Sequence, residues 1–317
     1  MDKRTICKIL NAKHLDYLKS IKNEEVKKLI AENALITGGS IVSLLLNSKV
    51  SDFDYYFTDK ETCTKVAQYY VDEFNKMHPD NTYLTTTKLK KPIVEVEEDR
   101  VKIVVPSVGI VGEADSSDYQ YFEGLPDEVG QEFVDKITEA VEKADDLSVQ
   151  PLEETVKEKY RPIFLSSNAI TLSNQVQLVI RFYGQPEEIH KNYDFVHCTN
   201  YWIAKDNKLV LNQTALESIL AKRLYYVGSL YPICSIIRTR KFIEHGWRIN
   251  AGQYLKMCFQ VSELDLTNIA VLEEQLTGVD ASYFYQVIEW CQEKQKENPE
   301  FKMTAPYLIS IIDKIFG

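Results

Sequence analysis

Two aspartates flank a phenylalanine in Asp52-Phe53-Asp54, and three more aromatic residues, Tyr55, Tyr56 and Phe57, follow. In an extended strand successive side chains alternate faces, so Asp52 and Asp54 project to one side while Phe53 and Tyr55 project to the other. Two carboxylates held that close repel unless a cation lies between them, which makes the pair a candidate site for a divalent metal. Upstream, Gly38-Gly39-Ser40 opens the apolar run IVSLLL. A Gly-Gly-Ser turn entering a helix presents backbone N–H groups and a hydroxyl at the positive end of the helix dipole, an arrangement suited to phosphate oxygens. Taken alone it is explained equally well as a tight turn. An Asp-x-Asp pair about a dozen residues later joins the two into one candidate site.

A two-metal phosphoryl-transfer centre normally draws a third acid from a neighbouring strand. Asp194 in YDFVHC is one candidate, embedded in an apolar strand pattern where an unpartnered carboxylate would be costly. Glu95 and Glu97 in IVEVEED are the rivals, although they alternate like the solvent face of an edge strand. His197 and Cys198, beside Asp194, read as core packing.

These side chains need elements to position them. Residues 12–33 carry Leu15, Leu18, Ile21, Val26, Leu29 and Ile30 at helical spacing and predict one amphipathic helix. After DFDYYF, Thr58 or Asp59 is the N-cap candidate of a second helix, with Val66, Tyr69, Tyr70 and Phe74 on its apolar face and His78-Pro79 at its end. A β-rich middle follows in TYLTTTKL, PIVEVEED and RVKIVVPSVGIVG. Between about 113 and 157 the chain is rich in Asp and Glu, which predicts an acidic, partly helical insertion mounted on the sheet. Strand signals resume in FLSSNAITL, QVQLVIRFY and YDFVHCTNYWIA. From about 212 onward the period is helical. The expected architecture is α+β, with a mixed-sheet domain over 1–211 and a helical domain over 212–317.

Composition narrows the classes. The chain has 317 residues, 44% hydrophobic and 26% charged, as in a globular protein of one large or two modest domains. Its net charge of -10, from 37 basic and 47 acidic residues, argues against a non-specific nucleic-acid binder and confines any such contact to a local basic patch. The six cysteines stand singly, without zinc spacing, and read as reduced thiols. No run of about 18 apolar residues and no secretory leader is evident. The expected setting is cytoplasmic, with no membrane partner.

The register of GGSIVSLLLNSKVSDFDYYF resembles the nucleotidyltransferase superfamily that includes DNA polymerase beta. Within it, the stretch is similar to the Gly-Gly-x-Val-x-x-Leu-Leu-Leu…Asp-x-Asp opening of CCA-adding enzymes and bacterial poly(A) polymerases. The likeness is good over about 30–60, plausible over 164–200 and vague in the helical third. It implies Mg2+ or Mn2+ held by Asp52, Asp54 and Asp194, with the phosphates of a nucleoside triphosphate on Gly38, Gly39 and Ser40. It also implies transfer of a nucleoside monophosphate to an acceptor hydroxyl, an RNA 3′ end or a protein, with release of pyrophosphate. Val42 and Ser43 stand where those enzymes carry an Arg-Asp pair, and their Arg-Arg-Asp-Phe-Thr-x-Asn-Ala segment is echoed only by SSNAITL. Both departures imply a divergent member with a different acceptor.

Arg238 and Lys241 in IIRTRKFIEHGW, about one turn apart on one helix face, with Lys222 in ILAKRLYYV, are candidate contacts to the triphosphate or the acceptor. A solvated basic face explains them as well. Two other functions fit the same residues: a non-catalytic binding or scaffolding protein that keeps the fold, and a toxin-type nucleotidyltransferase acting on tRNA or a protein. The intact Asp52 and Asp54 favour an enzyme.

Overall fold

The N-terminal apolar stripe forms two helices, α1 (Lys3–Ser20) and α2 (Glu24–Asn33), rather than the single helix expected over 12–33. The break has a local cause. Asn23 caps α2, its side chain accepting from the N–H groups of Glu25 at 3.0 Å and Val26 at 3.2 Å, and a capping residue leaves the helical backbone conformation. The structure is a computed structural model that describes residues 1–79, 83–84, 89–105, 110–111 and 159–276, with single positions between 294 and 310.

In chain order, α2 leads into β1 (Ala34–Thr37), α3 (Gly39–Leu46), β2 (Phe53–Phe57) and α4 (Lys60–Met77). The middle holds short strands β3 (Tyr83–Leu84), β4 (Leu89–Lys90), β5 (Ile93–Val96), β6 (Val101–Val104) and β7 (Ile110–Val111). Next come β8 (Pro162–Leu165), β9 (Ala169–Leu172), β10 (Val176–Tyr183), α5 (Pro186–His190), a 3-10 turn at Val196–Cys198, β11 (Tyr201–Ile203), β12 (Lys208–Val210) and α6 (Gln213–Ala221). The helices α7 (Pro232–Glu244), α8 (Ala251–Ser262) and α9 (Ile269–Leu276) complete the described elements.

The chain divides into two compact units, one of Met1–Ser117 and Glu154–Val227, the other of Asp118–Glu153 and Gly228–Gly317. The acidic stretch expected over about 113–157 lies outside the described residues, as do most residues beyond 276. The second unit is helical where described, through α7, α8 and α9.

An eight-stranded sheet organises the first unit, in the order β12-β11-β1-β2-β10-β9-β8-β7. Its neighbours are antiparallel except β2 and β10, which run parallel. This is the expected α+β class with a mixed sheet. Helix α1 buries Ile6, Leu10, His14 and Tyr17 along one stripe, and α4 buries Val66, Tyr70 and Phe74 along another. Both join one apolar cluster with Ile36, Tyr55, Phe57, Leu178 and Trp202 of the sheet. That face of the sheet is therefore sealed, and any polar chemistry belongs to the other.

The strand pair β5 and β6 stands apart from the large sheet. There Lys102 pairs with Glu95 at 3.1 Å and with Glu97, and Arg100 pairs with Glu97 at 3.3 Å. The hydrogen bond from Lys102 holds the Glu97 carboxyl below its ordinary pKa. Both rivals to Asp194 are thus engaged in exposed ion pairs.

Candidate active site

Strand register builds the site. Thr37 of β1 and Gln177 of β10 lie directly opposite Asp54 on β2, and the same row continues to Tyr201 on β11 and Thr171 on β9. All five are polar. One residue away, on the opposite face, the row reads Trp202, Ile36, Tyr55, Leu178 and Ile170, and every one of these is buried. A slip of one residue would exchange the rows, so the apolar row fixes where the polar one must be.

Gly38 closes one side. Its backbone lies at φ +87°, a region that L side chains rarely adopt, and a Cβ there would sit 3.0 Å from Asp54 Oδ2 and 3.6 Å from the Tyr193 hydroxyl. Its N–H donates to the Cys198 carbonyl at 3.2 Å. The turn therefore packs directly on the Asp54 carboxylate and on the segment from Tyr193 to Cys198. A Cβ at Gly39 would meet nothing within 4 Å, so open space lies beyond it.

Helix α3 begins at this turn with Gly38 as N-cap and no side-chain cap. The first N–H groups of a helix have no partner within it. Ser40, in its first turn, is buried to 2% exposure, and its Oγ has no hydrogen-bond partner among the described residues. An uncapped helix start with a buried, unsatisfied hydroxyl can receive an anion.

Asp52 is half-buried and precedes β2 by one residue; its Oδ1 accepts from Ser51 Oγ at 3.0 Å. Asp194 departs from expectation. It lies on a bend before the 3-10 turn and not on a strand, and its backbone carbonyl accepts from Val227 N–H at 2.9 Å. The flanking Phe195 is fully buried and bridges to Tyr226, which pins this segment as an irregular crossing. The strands beside β2 are β1 and β10, and the residues opposite Asp54 there are Thr37 and Gln177. Among the described residues no three His, Cys, Asp or Glu side chains gather closely enough to hold a metal ion.

Four residues that the sequence did not single out complete the surroundings. Thr37 is fully buried; its hydroxyl donates to the Asn200 carbonyl at 2.8 Å and accepts from His190 Nε2 at 2.8 Å. Burial depresses the His190 pKa to about 4, against a weaker opposing pull from Glu187, so the ring is neutral. His190 in turn stacks at a tilt on Tyr193 and Tyr201, with ring centres 5.0 and 5.6 Å apart. Burial pushes the Tyr193 phenol well above its ordinary range, and the neighbouring Tyr56 and Asp54 push the same way, so its hydroxyl stays protonated beside Asp54. The fourth is Gln177. Of these only Gln177 left a signal, as the polar residue near the start of the apolar strand VQLVIRF.

The basic candidates lie on two helices, one in each unit. Lys222 is exposed, in left-handed conformation at the C-cap of α6. Arg238 and Lys241 lie on α7 in the second unit, the first half-buried and the second exposed, while Arg240 pairs with Glu244 at 3.0 Å. Burial holds the His197 ring near a pKa of 4, opposed by Asp194, which accords with a core residue. Among the described residues no helix is long and apolar enough to cross a membrane.

Among solved structures, the chain is similar to a Thermotoga maritima CCA-adding enzyme complexed with tRNA, at 12% identity and a TM-score of 0.40, covering 96% of this chain and 55% of that one. It is also similar to a tRNA-processing enzyme solved with CTP, at 10% identity and a TM-score of 0.38, covering 92% and 57% respectively. The chain thus spans little more than half the length of either. No curated protein matches its sequence. One family profile matches residues 8–222, more than half of the 317, a span that holds the polar row, the Gly38 turn and both aspartates of the Asp-x-Asp pair. The chain is a member of the Gabija anti-defense 2 family.

Proposed function

We propose that the protein is a metal-dependent nucleotidyltransferase, moving a nucleoside monophosphate from a nucleoside triphosphate to an acceptor hydroxyl on RNA or on a protein, and that this transfer serves the anti-defense role in the family's name. The observation that carries the reading is the contact between the Gly38 turn and Asp54. It sets an uncapped helix start, with the buried Ser40 hydroxyl, against a carboxylate that follows Asp52 by two residues. Phosphate oxygens suit the first and a hard divalent cation suits the second.

In this reading Gly39, Ser40 and the first turn of α3 hold the terminal phosphates. Asp52 and Asp54 offer hard oxygen donors that fit Mg2+ or Mn2+, which when bound would polarise the α-phosphate and offset the charge of the departing pyrophosphate. A bond forms between the acceptor oxygen and the α-phosphorus as the bond to the β-phosphate oxygen breaks, and the hydroxyl proton is lost to solvent or to a nearby base. The neutral His190 and the protonated Tyr193 fix the edge of the site, because neither can take up or surrender charge near neutral pH.

The test is transfer of label from each α-labelled nucleoside triphosphate, with Mg2+ or Mn2+, into total RNA or cell protein. Asp52→Ala and Asp54→Ala are each expected to lower transfer by about 10^2–10^3-fold or more, as loss of a principal electrostatic group does, while melting no lower than wild type. Transfer retained in both variants would refute the enzyme and leave a binding or scaffolding protein.

A further inference from the structure

Of the two neighbours of β2, β10 carries an amide on the polar face where a metal site would carry an acid. Strands β2 and β10 are parallel, with Gln177 in register with Asp54. Neighbouring strands lie roughly 4.8 Å apart, so two side chains opposite each other on one face can reach a single ion. Gln177 is half-buried, and its side chain makes no hydrogen bond to any described residue. Asp194 is not on an adjacent strand, and Glu95 and Glu97 are taken up by Lys102. Of the two residues that the sheet sets opposite Asp54, Thr37 has its hydroxyl engaged by His190 and the Asn200 carbonyl, which leaves Gln177 to offer a ligand.

A glutamine carbonyl oxygen is a hard, neutral donor of the kind that Mg2+ and Mn2+ accept beside carboxylates. It provides coordination without charge. We propose, building on the nucleotidyltransferase reading, that Gln177 is the third ligand position of the metal site. Its neutrality leaves the free site short of one negative charge. The ion is then held weakly until a triphosphate lodged at the start of α3 supplies the missing charge. Metal and nucleotide enter together, and the empty protein does not retain the ion. The Ser40 hydroxyl, buried and unpartnered at that helix start, is the independent sign that an anion belongs there.

Manganese binding tests this without any turnover. Mn2+ affinity is measured by electron paramagnetic resonance, with and without an α,β-methylene triphosphate, on wild type, Gln177→Glu, Gln177→Leu, Asp54→Ala and Asp194→Ala. Wild type is expected to bind Mn2+ at least about tenfold more tightly with the nucleotide analogue than without it. Restoring the charge with Gln177→Glu is expected to tighten binding without nucleotide by at least about tenfold, as an added carboxylate beside a divalent ion does, and so to shrink the nucleotide effect. Gln177→Leu should weaken binding in both conditions. Should Gln177→Glu fold poorly, Gln177→Asp carries the same charge and replaces it. An acidic variant that folds and binds no tighter overturns the proposal. So does Asp194→Ala weakening Mn2+ binding as much as Asp54→Ala while the Gln177 variants match wild type. Asp54→Ala with undiminished Mn2+ and nucleotide binding is a separate failure, that of the nucleotidyltransferase reading itself.

Discussion

Gly38 and Gly39 are neighbours with opposite tolerances, and the difference isolates what the turn does for the site. At position 38 a methyl group would meet the Asp54 carboxylate at 3.0 Å on a backbone of positive φ. Gly38→Ala should therefore cost about 1–3 kcal/mol of stability and displace Asp54. At position 39 the same change meets open space at the start of α3, where alanine is the better helix former by about 0.5–1 kcal/mol. Gly39→Ala should leave the melting temperature level or slightly raised and yet weaken triphosphate binding, since a methyl group there occupies the approach to the N–H groups. Thermal melts together with nucleotide titrations check both. A Gly39→Ala variant with unaltered nucleotide affinity would place the phosphates elsewhere. The sequence marks this turn through its pairing with the Asp-x-Asp motif about a dozen residues later, since the glycines alone fit any tight turn before a helix. It leaves Thr37, His190 and Tyr193 unmarked, since an isolated polar residue in a strand or short helix looks alike whether it faces water or an aspartate.

At the scale of elements, the site depends on β2 being held in one register between β1 and β10, and α4, with α1, seals the opposite face. Asp59 starts that helix, accepting from the Thr62 N–H and hydroxyl, each at 2.7 Å. Asp59→Ala should cost about 1 kcal/mol, as the loss of an N-cap does, and lower the melting temperature by roughly 2–4 °C. Because the cap lies on the sealed side, nucleotide affinity should hold constant. A melting temperature that does not move would mean that the helix end is held by packing alone. Caps and apolar stripes are local, which is why the α4 cap and its buried face are legible in sequence. The Asp194 segment reads as a strand because its apolar neighbours carry strand propensity. The deciding facts, the burial of Phe195 and its bridge to Tyr226, involve residues more than a turn away.

At the scale of the whole molecule, buried histidines link folding to pH. His14 is 3% exposed, stacked on Tyr55 at 5.9 Å and edge-on to Trp202 at 5.5 Å, with no partner for Nδ1 among the described residues. Burial lowers its pKa from 6.5 to about 4. A base that titrates lower in the folded state binds fewer protons there than in the unfolded chain. Its contribution is therefore complete above about pH 6.5 and is lost as the pH falls toward 4, by up to roughly 3 kcal/mol. His190 and His197 shift in the same direction. Melting temperature should accordingly fall steeply below pH 6.5, and His14→Phe should make that fall shallower. A flat profile between pH 7 and 5 would contradict the burial of these rings. The sequence by itself determined the α+β class, the Gly-Gly-Ser turn, the Asp-x-Asp pair and the cap of α4, because each rests on residue type and short-range period. Only the tertiary structure decided that β10 rather than the Asp194 segment lies beside β2, and that an amide rather than a carboxylate faces Asp54. The physical reason is that strand order and register are set by long-range burial of one face against α1 and α4, and a local pattern carries no information about which distant strand becomes the neighbour.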